Sequence, residues 1–105
     1  QTRSFQYVDD LIEAKMRVVK TDNNFTGPVN LGNPNEITIK TLAEMVITLT
    51  HSHSQIISRP LPENDPRRRC PDISLAAQQL CGWKPNVNIA EGLSKTIEYF
   101  RKKCL

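Results

Sequence analysis

Residues 60–85 read PLPENDPRRRCPDISLAAQQLCGWKP, a stretch that joins a proline-rich loop to a run of three arginines and a helix start. The prolines at positions 60, 62, 66 and 71 fix φ and bias the residues before them away from the helical region. Arg67, Arg68 and Arg69 are therefore predicted to project from a stiff, extended segment. Because guanidinium groups bind phosphate oxygens through paired N–H donors, the sequence predicts an anion-binding loop.

A helix is predicted directly after this loop. Asp72 is a favourable N-cap residue, and apolar residues recur at helical spacing from Ile73 to Leu80. Gly82 followed by Pro85 would end the element. The N-terminus of such a helix would add backbone N–H donors to the anion site. Under the alternative interpretation the arginine run is a solvated patch, since charged runs are usually exposed, and Asp72 is only a cap.

The rest of the chain is predicted to alternate short strands with amphipathic helices. Strands are predicted at 4–8, 29–31 and 55–58. Further helices are predicted to start at Asp9, at Thr38 and at a capping box formed by Asn88 and Glu91. Trp83 is predicted to lie in the core, because large aromatic residues dominate small cores. The predicted fold class is α/β, a small mixed lobe of about four helices and short strands.

The composition narrows the classes of partner. A net charge of +3 and a pI near 8.9 favour anionic ligands, but no aromatic residues interleave with the arginines as they do on nucleic-acid-binding surfaces. Nucleic acid is therefore not a predicted partner. No run is apolar enough to span a bilayer, so no membrane contact is predicted for this segment. Cys70, Cys81 and Cys104 lack C-x-x-C spacing and are predicted to be free thiols, with one disulfide left open.

Two further patterns are not predicted to be functional sites. His51 and His53 form an H-x-H pair, but zinc sites usually present more ligands at regular spacing, so no metal site is predicted and the pair has no assigned role. Tyr99 and Lys103 match Tyr-x-x-x-Lys as a string. A tyrosine followed by lysines on an amphipathic helix is more typical of a partly buried ring and a solvated tail, so a catalytic role is not predicted.

A family resemblance rests on three stretches: QTRSFQYVDDLI at 1–12, GPVNLGNPNEITIKTLAEMV at 27–46 and DPRRRCPDISLAAQQLCGWKPNVNIAEGLSKTIEYF at 65–100. Their order and spacing resemble the extended short-chain dehydrogenase/reductase (NAD-dependent epimerase/dehydratase) superfamily, and within it most closely the UDP-glucuronate decarboxylases, or UDP-xylose synthases. These lyases oxidise the sugar at C4 with bound NAD, release the C6 carboxylate as carbon dioxide and re-reduce the product to UDP-xylose.

The resemblance implies that residues 1–105 are the C-terminal nucleotide-sugar-binding lobe of such a Rossmann-type enzyme, a fragment without the dinucleotide-binding domain. The family's G-x-x-G-x-x-G turn does not occur in the sequence, and its catalytic Tyr-x-x-x-Lys pair does not occur in context. The chain is thus expected to hold no catalytic or cofactor-binding residue, to be inactive alone and to leave NAD to the parent enzyme. Whether the parent works in the cytoplasm or the Golgi lumen stays open.

The resemblance also implies a substrate site. Arg3 and Arg69 match the positions that contact the diphosphate in related nucleotide-sugar enzymes, and Asp72 matches the acidic position that accepts a hydrogen bond from the ribose. Arg67 and Arg68 are expected to supply positive potential without contact. Because the rest of the pocket would belong to the missing Rossmann domain, UDP-sugar binding is expected to be millimolar or weaker, about 4 kcal/mol or less.

Three alternatives stay open at this point. The chain could be the lobe of another nucleotide-sugar epimerase or dehydratase. It could be a stand-alone anion-binding module. It could also be an interaction module that forms homo-oligomers through the apolar surface that a Rossmann domain would cover, since exposed apolar patches and unpaired strand edges promote association.

Overall fold

Four helices and a two-stranded antiparallel sheet follow one another along the chain in a computed structural model that describes residues 1–22 and 24–104. The elements are β1 (Thr2–Arg3), α1 (Val8–Val19), β2 (Ile37–Thr38), α2 (Ile39–Thr50), α3 (Ser74–Gln79) and α4 (Ile89–Cys104). The predicted α/β class, with about four helices and short strands, is confirmed. No helix in the described part of the chain has both the length and the apolar character needed to cross a membrane.

The sheet brings the N-terminal strand to the arginine loop. Thr2 lies opposite Thr38 in the antiparallel pair, and on its other side it forms a parallel bridge to Arg68. The Thr2 N–H donates to the Arg67 carbonyl at 2.8 Å. As a result β1 lies between β2 and the arginine loop. Arg3 on β1 therefore lies next to the loop that contains Arg67, Arg68 and Arg69.

The core is small and lies between α1 and the segment around α3. Its buried apolar residues are Ala14, Ala76, Leu80 and Trp83, with Val18, Val29, Leu31 and Ile73 packed against them. Trp83 is only 2 % exposed, which confirms its predicted place in the core. Arg17 donates from Nη1 to the Leu80 carbonyl at 2.8 Å, so a cation on α1 satisfies a carbonyl at the end of α3.

A buried carboxylate ties α1 to the segment that leads into α4. Asp10 is 5 % exposed, and its two carboxylate oxygens accept hydrogen bonds from the N–H groups of Asn86 and Val87, each at 3.0 Å. Such a group is tolerated in the interior because both oxygens are paired with backbone donors. The contact fixes the start of α4 relative to α1.

Two predicted helix caps are present. The Thr38 hydroxyl accepts a hydrogen bond from the Thr41 N–H at 3.0 Å, and Asn88 accepts one from the Glu91 N–H at 2.8 Å. The Glu91 carboxylate lies 3.4 Å from the Lys95 amine one turn later. At the other end of α2, His51 adopts a left-handed conformation with φ 55° as the C-cap residue, which gives this histidine a structural place in the chain.

The predicted strand at 4–8 is wrong. Pairing is limited to Thr2–Arg3, because the partner strand β2 is itself two residues long and runs directly into α2. The helix α1 begins at Val8, with Tyr7 as its N-cap residue and no side-chain cap bond. Asp9 is therefore not the cap; it lies in the first helical turn, where a carboxylate favours the helix dipole.

The predicted strands at 29–31 and 55–58 are also absent, and both segments are irregular. Alternation of apolar residues cannot make a strand where no neighbouring edge is available for pairing. Residues 55–58 are all exposed, and Ile57 is 69 % exposed. They lead into the proline-rich loop and are not part of the sheet formed by β1 and β2.

Candidate functional site

An open cleft of about 380 Å³ lies where β1, the segment around Gly32 and the arginine loop meet. Its lining residues are Arg3, Ser4, Gln6, Asn30, Leu31, Gly32, Arg69, Cys70 and Pro71. The structure therefore brings together the two predicted diphosphate-binding residues, Arg3 and Arg69, in one cleft. Asp72, the third predicted site residue, is not among the residues that line it.

Arg3 is held in place by hydrogen bonds from both terminal nitrogens of its guanidinium. Nη2 donates to Asp65 Oδ1 at 2.9 Å, and Nη1 donates to the carbonyl of Thr2 at 2.7 Å. The side chain is 21 % exposed. Since a guanidinium carries five N–H donors, these bonds leave further donors for a ligand in the cleft.

Arg68 is clamped to a carboxylate. Its Nε and Nη2 donate to Glu36 Oε1 and Oε2, both at 2.8 Å, and the Thr2 hydroxyl donates to the same Glu36 Oε1 at 3.0 Å. These bonds from Arg68 lower the pKa of Glu36, and the Glu36 carboxylate raises the pKa of Arg68. The ion pair offsets part of the positive potential that Arg68 was expected to supply, and it fastens the loop to the residue before β2.

The arginine run is therefore neither a uniform solvated patch nor a uniform anion site. All three arginines of the run are exposed, and the backbone of Arg67 and Arg68 pairs with Thr2. Arg69 lines the cleft. Only the third arginine of the run faces the same space as Arg3, and this difference among adjacent residues arises from the bridge to β1.

Asp72 begins the turn into α3. Its Oδ1 accepts hydrogen bonds from the Ser74 N–H at 2.9 Å and the Ser74 hydroxyl at 2.6 Å, and these bonds lower the pKa of Asp72. The helix itself starts at Ser74 with Ile73 as the N-cap residue, so the predicted cap position of Asp72 is wrong by one residue. The backbone of Asp72 still contacts the cleft region, since Asn30 Nδ2 lies 3.5 Å from its carbonyl.

One wall of the cleft depends on a glycine that the sequence did not single out. A Cβ at Gly32 would lie 2.8 Å from Pro71 Cγ, and both residues line the cleft. The close approach leaves space for glycine alone unless the loop moves. The only sequence signal for this glycine is its place in Leu31-Gly32-Asn33, after a short apolar run. That signal does not reveal the close approach to Pro71, which is distant in sequence.

A second, mainly apolar groove of about 510 Å³ lies between residues 5–8, α2 and α4. Tyr99 and Phe100 line it with rings 5.3 Å apart and edge to face, and both are more than half exposed. Lys103 lies 5.9 Å from the Tyr99 ring centre. The groove provides the apolar surface that the self-association hypothesis requires, and self-association stays a prediction.

The pKa shift of Glu36 predicts an acid-sensitive loop. Because the folded-state pKa lies below the ordinary value of 4.5, the ion pair stabilises the folded loop fully above that value. We expect this stabilisation to be lost as the pH falls through the lowered pKa. The Arg68 Nε–H signal in an NMR pH titration measures the loss of this ion pair locally. A local signal is needed because the pKa of Asp72 is also lowered and would change the overall stability in the same direction. In Glu36→Gln the signal should no longer titrate; an unchanged titration would contradict the assignment.

The chain is similar in sequence to UDP-glucuronic acid decarboxylases. The chain is 46 % identical over 103 residues to UDP-glucuronic acid decarboxylase 1 of Danio rerio, and 43 % identical over 105 residues to UDP-glucuronic acid decarboxylase 1 of Arabidopsis thaliana. The resemblance to UDP-glucuronate decarboxylases is confirmed. These alignments cover 98 % and 100 % of this chain but 24 % and 23 % of the relatives, so the chain spans about a quarter of their length. No family model matches the chain.

Solved structures of UDP-sugar epimerases share the fold. UDP-glucose 4-epimerase of Thermotoga maritima, solved with UDP-glucose, is 30 % identical with a TM-score of 0.87, over 99 % of this chain and 33 % of that one. UDP-glucuronic acid 4-epimerase of Bacillus cereus, solved with UDP-glucuronic acid and NAD, is 26 % identical with a TM-score of 0.84, over 98 % and 33 %. The likeness to UDP-glucuronate decarboxylases thus extends in fold to NAD-bound UDP-sugar epimerases.

Proposed function

We propose that residues 1–105 act as the nucleotide-sugar-binding lobe of a UDP-glucuronate decarboxylase. The observation that carries the proposal is the cleft shared by Arg3 and Arg69, two arginines that are far apart in the sequence. A diphosphate is a multiply charged oxygen anion, and paired guanidinium donors bind such groups with charge-assisted hydrogen bonds. The identity to decarboxylases over nearly the whole chain supports UDP-glucuronate as the sugar nucleotide.

The lobe would contribute binding energy and leave the chemistry to the rest of the parent. Energy gathered on the UDP group can orient the sugar for the conversion to UDP-xylose and carbon dioxide. The four glycines of this chain are scattered and form no phosphate-binding turn for a dinucleotide, so its residues do not fit NAD. We therefore assign no cofactor and no catalytic residue to this chain, and propose that it is inactive alone.

Asp72 is proposed to accept a hydrogen bond from a ribose hydroxyl. Its lowered pKa keeps it an ionised acceptor, and its Oδ1 is already engaged by Ser74. The contact would therefore use the other carboxylate oxygen. The position of Asp72 just beyond the cleft wall at Pro71 suits a group attached to the diphosphate, not the diphosphate itself.

An NMR titration of this chain with UDP tests the proposal. Shifts should cluster around Arg3 and Arg69, with an apparent Kd in the millimolar range. Arg69→Ala should weaken binding by about tenfold or more, because a hydrogen bond to a charged group is lost. Arg67→Ala is the matched control, since it removes the same charge from the adjacent run but not from the cleft, and should change the Kd less than about twofold. Equal losses in the two variants would indicate unspecific attraction and overturn the proposal.

A UDP-sugar 4-epimerase lobe is the second candidate, and the structural likeness to the Thermotoga maritima enzyme supports it. The higher identity to decarboxylases favours the first. Carbon dioxide release from UDP-glucuronate by the full-length parent separates the two candidates, because epimerisation retains the carboxylate.

A further inference from the structure

We propose that Asp65 is a positioning residue, which orients the Arg3 guanidinium toward the anion in the cleft. The inference rests on the proposed function, because it concerns how the same cleft holds its ligand. Asp65 begins the arginine loop, four positions before Arg69 in the sequence. It thereby contacts Arg3 from the same loop that carries Arg69 into the cleft.

The geometry of the carboxylate supports this role. Asp65 Oδ1 accepts from Arg3 Nη2 at 2.9 Å, and Asp65 Oδ2 accepts from Gln1 Nε2 at 3.0 Å. Both donors come from the N-terminal segment, so both oxygens of one carboxylate face β1. With the Thr2 carbonyl bonded to Nη1 and Asp65 bonded to Nη2, both terminal nitrogens of Arg3 are held by acceptors, so the side chain can rotate little.

Fixing a long side chain before the ligand arrives raises affinity, because less rotamer entropy is lost on binding. An Arg3 side chain without these bonds would keep its charge but would no longer be pre-organised for the ligand. Asp65 has an opposing effect as well, since its negative charge lowers the positive potential that attracts an anion. The two effects predict opposite outcomes when the carboxylate is removed.

If positioning dominates, Asp65→Ala binds UDP about five- to tenfold more weakly than the unaltered chain, although it removes a negative charge. Asp65→Asn keeps an acceptor oxygen for Arg3 and should recover most of this loss. Glu63→Ala is the matched control, because it removes the same charge from an exposed position two residues earlier in the loop. It should leave the Kd unchanged or slightly lower.

A double-mutant cycle separates positioning from a general loosening of the loop. If Asp65 acts through Arg3, then Asp65→Ala has no further weakening effect in an Arg3→Ala background. Additive losses would assign Asp65 a merely structural role and overturn the inference. So would an Asp65→Ala variant that binds as tightly as Glu63→Ala.

The titration is run with UDP and, in parallel, with inorganic pyrophosphate, at equal ionic strength. Loss of binding in Arg69→Ala but not in Asp65→Ala overturns the positioning role alone and leaves the proposed function standing. A third outcome is that pyrophosphate binding depends on Asp65, while UDP binds no more tightly than pyrophosphate and shifts no residue beyond the cleft. This outcome supports the positioning role and counts against a nucleotide site. A chain that binds neither probe overturns both.

Discussion

Replacing Trp83 by alanine should lower the free energy of unfolding of this chain by about 3–5 kcal/mol. Trp83 is 2 % exposed and is one of the few buried apolar side chains in the core. Truncation of a buried aromatic residue costs about 3–5 kcal/mol, because transfer free energy is lost and a cavity is left. Folded domains have a total stability of only about 5–15 kcal/mol, so the expected loss is a large fraction of it. Urea unfolding followed by circular dichroism measures the change.

Tyr99→Ala provides the matched control, since Tyr99 is an aromatic residue at 56 % exposure. Its loss should change the free energy of unfolding by less than about 1 kcal/mol. If both variants were equally destabilised, the fold would depend on the apolar groove as much as on the core around Trp83.

The second large effect is expected at Asp10. Asp10→Ala removes the acceptor of the Asn86 and Val87 N–H groups, which are partly buried. Hydrogen bonds to a charged group contribute about 1.5–3 kcal/mol each and are not additive, so a loss of about 2–4 kcal/mol is expected. Urea unfolding gives the total, and faster hydrogen exchange at the two amides locates it.

Asp9→Ala is the control for Asp10, because it removes the neighbouring carboxylate from the same helical turn. Asp9 is exposed and interacts with the helix dipole, which is worth about 0.3–1 kcal/mol. Similar losses in the two variants would show that charge in the first turn, and not the bonds to the 86–87 backbone, stabilises the fold.

Features that depend on neighbouring residues were predictable from the sequence. The caps at Thr38 and Asn88 act within three residues of themselves, and the place of Trp83 follows from its size and its position after a helix stop. The alternation of predicted strands and helices indicated the fold class, and the resemblance across three stretches pointed to Arg3 and Arg69 as site residues. Their separation along the chain conceals that they share a cleft.

Features that depend on distant partners were not predictable. The residues 4–8 carry a strand-like pattern, but the extent of pairing is set by β2, where two residues precede a helix. The role of Arg68 is decided by Glu36, 32 residues away in sequence, and that of Asp65 by Arg3. Nothing in a run of three arginines distinguishes the one that is paired from the one that lines the cleft.

The bridge between β1 and the arginine loop also has a consequence for the order of folding. Arg3 and Asp65 are 62 residues apart in sequence. Bringing them together costs the entropy of closing a long loop before their contact can stabilise the chain. The helices form from local contacts and can appear first, whereas contacts of large sequence separation form slowly. The cleft should therefore be the last part of the chain to assemble, and a ligand that binds it would act on the final step of folding.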